Sequence, residues 1–218
     1  MQQPGATDLY TRLAPFYDWM SKGLLAPFGG DTRFRAEVID TWSIRSGDRI
    51  LELGCGTGLM TRQMLDRGAI VTCVDRSPPM LARARKRAPE ATFVEHDVPT
   101  FAPRGTYDRV ILSYILHELD RDARRATLAM ARAALAPGGL VGIVDFDDGA
   151  REPVRTLIDL YLRVAEPPSA REWARDGLRD EVAGAGLRVV RSCAVGWGTA
   201  RAGLLAPTYS SGSTPPLR

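Results

Sequence analysis

The sequence predicts an α/β domain built on a doubly wound, mostly parallel seven-stranded sheet that finishes in an antiparallel hairpin. Three observations carry that expectation. From Ile50 onward, short apolar runs alternate with stretches of helical periodicity, the pattern of strands joined by crossover helices. The first of these runs, Ile50 to Gly58, reads ILELGCGTG and passes through three alternate glycines into helical spacing. Beyond Gly186 the crossovers stop. Leu187 to Val195 and Ala200 to Ala206 are strand-like runs joined only by a Gly196-Trp197-Gly198 turn, a link too short for a parallel return.

At 218 residues the chain suits one domain with a full core. The formal charge of +3 rests on arginine, since Lys22 and Lys86 are the only lysines. The densest basic stretch, Arg83 to Arg87, falls on a predicted helix and reads as a solvated face, so no nucleic-acid partner is expected. Cys55, Cys73 and Cys193 are scattered and form no CxxC, which points to neither a disulfide nor a metal site. There is no secretory signal and no run of about 18 apolar residues, so a cytoplasmic protein is expected.

In chain order, residues 1–8 are a polar, disordered N-terminus with Pro4 and Gly5. Leu9 to Met20 is helical and aromatic (Leu9, Tyr10, Leu13, Phe16, Tyr17, Trp19). Gly23 to Gly30 interrupts it, and Arg33 to Trp42 resumes as a helix with Phe34, Val38 and Ile39 inward. Ser46-Gly47-Asp48 turns into the first strand, where Glu52 is the polar exception in a doubly buried run. Leu59, Met60, Met64 and Leu65 mark the helix after the glycines. Ala69 to Asp75 is the second strand. Ser77 should cap the next helix, with Pro78 in its first turn and Met80, Leu81 and Ala84 inward. Ala91 to Glu95 is the third strand and leads to His96-Asp97-Val98.

Tyr107 to Tyr114 is the fourth strand, apolar enough for the middle of the sheet. Asp120 should cap a helix carrying Ala123, Leu128, Met130 and Leu135, ended by Pro137-Gly138-Gly139. Leu140 to Asp145 is the fifth strand. After a loop, Val154 to Val164 is amphipathic, with Leu157, Ile158, Tyr161 and Leu162 on its apolar face. Ser169 and Glu172 have capping-box spacing for a helix around Trp173 and Val182. Residues 9–207 thus form one domain without repeat or linker, and 208–218 a disordered tail.

The glycine loop lets a ligand lie against the main chain. It is not the dinucleotide fingerprint, because Leu59 stands where the third glycine belongs, and no lysine follows as in a P-loop. The pattern E-x-G-x-G-x-G resembles the first motif of class I S-adenosylmethionine-dependent methyltransferases. YTRLAPFYD, from Tyr10 to Asp18, resembles the opening of the ubiquinone/menaquinone-biosynthesis branch (methyltransferase type 11/25). The resemblance spans residues 8–206 and implies a Rossmann-like methyltransferase fold. It also implies S-adenosylmethionine as cofactor, S-adenosylhomocysteine as product, and residues 9–45 as a helical lid. Glu52, Gly54, Cys55, Gly56 and Gly58 then fall to the methionine part of the donor. Asp75, about 20 residues on at a strand end, is placed for the ribose hydroxyls. Arg76, Met80 and Val98 would wall the adenine, Asp97 would accept its amino group, and Tyr17 and Ser113 complete the donor set.

A sulfonium already makes its methyl electrophilic, so the protein's main task would be to line up the acceptor. A hydroxyl or carbon acid also needs a base, and His117 and Glu118 follow the fourth strand at the right place. Equally open, His117 is a helix-start histidine bonded to backbone, and Glu118 a first-turn acid favouring the helix dipole. Tyr10, Tyr114, Asp145 and Tyr161 are the candidate acceptor contacts, with Tyr161 also readable as core. The expected function is methyl transfer to a small, lipophilic molecule through O, C or N, by a monomer or homodimer. Three alternatives stay open. One is a phospholipid or amine N-methyltransferase in peripheral membrane contact through Phe16, Trp19, Met20, Leu24, Leu25 and Phe28 beside Lys22. Another is a nicotinamide-dependent reductase, against which the missing glycine and the lack of a Tyr-x-x-x-Lys pair count. The third is a scaffold that binds no donor.

Overall fold

The first apolar run is the middle of the sheet. In the computed structural model, which describes residues 31–164 and 166–208, β1 (Arg49–Leu53) lies between two parallel neighbours. These are β2 (Ile70–Asp75) and β4 (Tyr107–Ser113). β3 (Thr92–Glu95) adds outside β2, and β5 (Leu135–Phe146) outside β4, both parallel. β6 (Leu187–Val195) and β7 (Ala200–Pro207) form the antiparallel end, giving the order β3-β2-β1-β4-β5-β7-β6. The chain reverses its winding between β1 and β4, so a crevice opens beyond the carboxyl ends of those strands.

Strand residues alternate between two cores. Ile50, Val71, Ile111 and Val144 face α1 (Asp31–Trp42), α2 (Leu59–Asp66) and α3 (Pro78–Arg87). Leu51, Val74, Leu112 and Ile143 face the other way, toward α4 (Arg121–Ala133) and the residues Trp173 and Val182. α5 (Val154–Val164) and α6 (Pro168–Glu172) make a third, small cluster around Leu162 and Ala170. A π-helical stretch (Trp173–Glu181) and α7 (Val182–Gly184) lead into β6. On α5, Leu157, Leu160 and Val164 remain exposed, so Leu157 is not the inward residue its spacing suggests. Among the described residues no helix is long and apolar enough to cross a membrane.

Three local expectations are corrected. α4 stops at Ala133, and Leu135 already pairs with Tyr107, because the Tyr107 N–H takes the Ala134 carbonyl (2.9 Å) at the start of β4. Pro137-Gly138-Gly139 is therefore an irregularity within β5. Ser77 makes no side-chain cap; Asp75 accepts from its N–H (2.8 Å), and the buried Ser77 hydroxyl has no partner among the described residues. The Ser169/Glu172 box does not form, since Pro167 takes the cap position. Ser169 instead donates to the His117 carbonyl (2.8 Å), and Glu172 pairs with Arg121 and the buried Arg124. The Asp120 cap is present, accepting from Ala123 N–H (2.9 Å). Along β6, the outermost strand, the register shifts between Val189 and Arg191, and Arg188, Val189, Val190 and Arg191 are all exposed. The segment before Asp31 and the tail from 209 lie outside the described residues.

Candidate active site

The glycine loop is a backbone device. Gly54, Gly56 and Gly58 all have φ between 53° and 77°, the left-handed region that side chains resist. Gly54 N–H bonds the Val74 carbonyl (2.7 Å), and Ile115 leaves no room for a side chain there: a Cβ would stand 2.5 Å from its Cδ1. At Gly58 a Cβ would meet Ala84 Cα at 3.0 Å, so this glycine lets α2 close on α3. At Gly56 a Cβ would meet nothing within 4 Å and would project into open space. Asp75 fastens the loop, one oxygen accepting from Gly56 N–H (2.8 Å) and the other from Ser77 N–H. Burial raises the Asp75 carboxyl above its ordinary pKa, against the pull of those two N–H donors. Glu52 is fully buried below the loop and accepts from Thr61 Oγ1 (2.5 Å) and Cys73 Sγ (3.5 Å). Burial outweighs these bonds and pushes Glu52 up to about 7.

Most of the sequence candidates share one cavity at the strand ends. Glu52, Gly54, Cys55 and Gly56 form its floor, Asp75, Arg76, Met80, Asp97 and Val98 one side, and Ser113, Tyr114 and Glu118 the other. Arg76 and Asp97 stand 3.9 Å apart at its half-exposed rim. Gly58 is absent from the lining; its role is helix packing. Tyr10 and Tyr17 lie outside the described residues. The wall also includes residues the sequence reading passed over, notably Arg35, Leu59, Met60, Ile115 and Leu119. Arg35 had a signal: a basic residue among the inward positions Phe34, Val38 and Ile39 of α1, and it is 8% exposed.

His117 is placed differently from expectation. It is buried, 3% exposed, and does not line the cavity. Its Nδ1 lies 2.7 Å from Asp145 Oδ1 and its Nε2 3.5 Å from Glu166 Oε2. Burial pushes the imidazole pKa down, but the Asp145 carboxylate, aided by Glu166, outweighs burial and lifts it to about 10. A protonated imidazole has no lone pair for a substrate proton, so this placement favours a structural role for His117 over that of a base.

Asp145 is also not an acceptor contact at this cavity. Its two oxygens are taken up by His117 Nδ1 and by the N–H groups of Leu116 (3.0 Å), His117 (3.2 Å) and Phe146 (2.8 Å). Tyr161 donates to Glu166 Oε1 (2.8 Å) and packs on Phe146, away from the cavity wall. Burial raises the Glu166 carboxyl, while His117 and Tyr161 pull it the other way and leave it below its ordinary value. Tyr114, with φ 51°, does reach the wall, and its ring meets Phe146 edge-on at 5.3 Å.

Residues 50–139 match the methyltransferase domain family. A demethylmenaquinone methyltransferase of Thermus thermophilus is 33% identical over 166 residues, 73% of this chain and 74% of that one. This chain belongs to the S-adenosylmethionine-dependent methyltransferases. An uncharacterised methyltransferase of a Synechocystis strain is 29% identical over 166 residues, 75% of this chain and 77% of that one. Among solved structures, the DhpI-SAM-HEP complex shares the fold with a TM-score of 0.69 at 22% identity, covering 95% of this chain and 100% of that one. As a methyltransferase the protein uses S-adenosylmethionine, and the cavity fits it on one structural ground: only the lack of a side chain at Gly56 leaves the space over the loop clear.

Proposed function

We propose that this methyltransferase transfers the methyl group to O, C or N of a small, lipophilic acceptor. The observation that carries this reading is a division of the cavity wall. Three carboxyl groups, Glu52, Asp75 and Asp97, stand on the glycine-loop side, whereas Tyr114, Ile115 and Leu119 give the facing wall an apolar stretch beside Ser113 and Glu118. The name of the Thermus relative, which refers to demethylmenaquinone, agrees with a lipophilic acceptor. S-Adenosylmethionine brings an electrophilic methyl on a sulfonium. The chain's own residues would bind and orient. The open space over the loop from Gly54 to Thr57 would receive the methionine part. A carboxylate has about four lone-pair sites, so Asp75 keeps sites for ribose hydroxyls beyond its two N–H bonds. Asp97, Val98 and Met80 would hold the adenine, with Arg76 at the rim.

Glu118 is the residue we assign to proton removal, since it reaches the cavity and His117 does not. A neutral amine would need no such base. We read the protein as cytoplasmic, a monomer or homodimer, with no nucleic-acid partner. The apolar face invoked for the membrane-surface alternative lies outside the described residues.

Calorimetry should show S-adenosylhomocysteine binding to the wild-type protein. A panel of acceptors with isotopically labelled donor should then single out a lipophilic one. With a hydroxyl or carbon acceptor, Glu118→Gln should lower turnover about 10²–10⁴-fold at saturation. Normal turnover of that variant at every pH would remove Glu118 from the chemistry.

A further inference from the structure

The turn that carries Tyr114, Ile115, Glu118 and Leu119 into the cavity wall is not held by the sheet alone. From below, Asp145 at the end of β5 fixes it through the Leu116 and His117 N–H groups. From above, α6 and the connection that precedes it each reach it once, and both contacts are to one residue. Ser169 donates to the His117 carbonyl, and Glu166 faces the His117 ring at Nε2. Glu166 is itself oriented by the Tyr161 hydroxyl of α5. His117 is thus a buried cation between two carboxylates from different elements, and its own turn is part of the cavity.

We propose that Glu166 is a positioning residue: through His117 it sets the turn bearing Tyr114 and Glu118, and so couples the α5–α6 connection to the donor cavity. The physical reason is the cost of an unpaired charge in a buried place. With both carboxylates present the imidazolium is matched and the turn has one low-energy position. Without Glu166, the ring keeps Asp145 as its hydrogen-bonded partner and the more distant charge of Glu118, so its own charge is less well supported. Gly54 would feel the result directly, because Ile115 packs against the position of its missing Cβ. Among the described residues, the groups facing His117 are Asp145 from β5, Glu166 from the connection and Glu118 from its own turn, with the Tyr161 hydroxyl behind Glu166. The rings of Phe146 (4.8 Å) and Tyr114 (6.3 Å) cover the rest and supply no charge.

The test uses the full chain and S-adenosylhomocysteine as the probe, and rests on the donor reading above. The variant is read against the wild type at each pH, because Glu52 on the cavity floor titrates near 7 as well. Glu166→Gln should weaken affinity about tenfold relative to wild type at pH 9, with a smaller relative loss at pH 7, as His117 loses its proton within that range. Nitrogen-15 NMR of the imidazole should show both ring nitrogens protonated at pH 8 in the wild type and a titrating ring in the variant. Glu166→Asp, which keeps the charge, should recover most of the affinity and the wild-type profile. A uniform fall in melting temperature with an unchanged ratio to wild-type affinity at every pH would overturn the proposal and leave Glu166 a purely structural residue. So would a His117 ring that stays doubly protonated in Glu166→Gln. If the wild type itself bound no S-adenosylhomocysteine, the donor reading would fall first, and that outcome is distinct from either of these.

Discussion

The two walls of the cavity are built by different physics. On the glycine-loop wall the positions are set by main chain: Gly54 N–H to the Val74 carbonyl, and Gly56 and Ser77 N–H to the two oxygens of Asp75. On the facing wall they are set by buried ions: His117 between Asp145 and Glu166, and beside it Arg124 held by Glu181 (2.8 Å) and Glu172 (3.1 Å). A backbone cradle tolerates many side chains provided its glycines remain. An ion cluster tolerates almost none, because every deletion leaves a charge behind. The first kind of wall suits a cofactor common to a family, and the second suits a surface adapted to one acceptor.

The comparison breaks most visibly at His117. His117→Ala should cost about 3–5 kcal/mol of stability in urea denaturation, because it strands the carboxylates of Asp145 and Glu166. Its pH signature is distinct. A histidine whose folded pKa is raised from 6.5 to about 10 contributes stability that is complete below 6.5 and is lost as pH climbs through 10. Wild-type stability should therefore decline over that window, and the variant should lack that decline.

On the other wall, Asp75→Ala should weaken S-adenosylhomocysteine binding by about 2–4 kcal/mol in calorimetry, with a smaller loss of stability. Were the two variants to exchange these signatures, with stability lost at Asp75 and affinity at His117, the division between the walls would be wrong. A finer contrast comes from Glu52. Its folded pKa is raised to about 7, so the folded state holds a proton that the unfolded state has released. Stability should fall as pH rises from 4.5 to 7, by at most about 1.4 kcal/mol per pH unit. Glu52→Gln should flatten that slope. The smallest effect belongs to neither wall: Arg62→Ala removes exposed pairs with Asp66 and Glu90 and should cost less than about 1 kcal/mol.

The same difference decided what could be read from residues alone. The loop and Asp75 were legible because a glycine's freedom and a strand-end acid are local properties, and Gly56 and Asp75 are only 19 residues apart, just past β1 and at the end of the adjacent β2. The doubly wound sheet and its antiparallel finish followed from apolar runs and short links. The role of His117 was not legible: nothing around His117-Glu118-Leu119-Asp120 announces that Glu166 will arrive from beyond a helix and a loop. Ser169 shows the same limit, since its capping-box spacing is real but the hydroxyl serves a carbonyl 52 residues away. Where α4 ends could not be read either, because the start of β4 captures Ala134 before the glycines are reached.

The outer rim of β6 has a consequence for how the protein behaves in a crowded solution. An edge strand offers unpaired N–H and carbonyl groups on which another chain can grow, and exposed valines such as Val189 and Val190 would favour such growth. Here the register shift between Val189 and Arg191 spoils the regular repeat a second strand would need, and docking would strip water from Arg188 and Arg191. At the opposite margin β3 is only four residues long and ends on Glu95, too short to template an extended pairing. Among the described residues, both borders of the sheet are thus poor seeds for fibrils, by a kink and charge on one side and by brevity on the other.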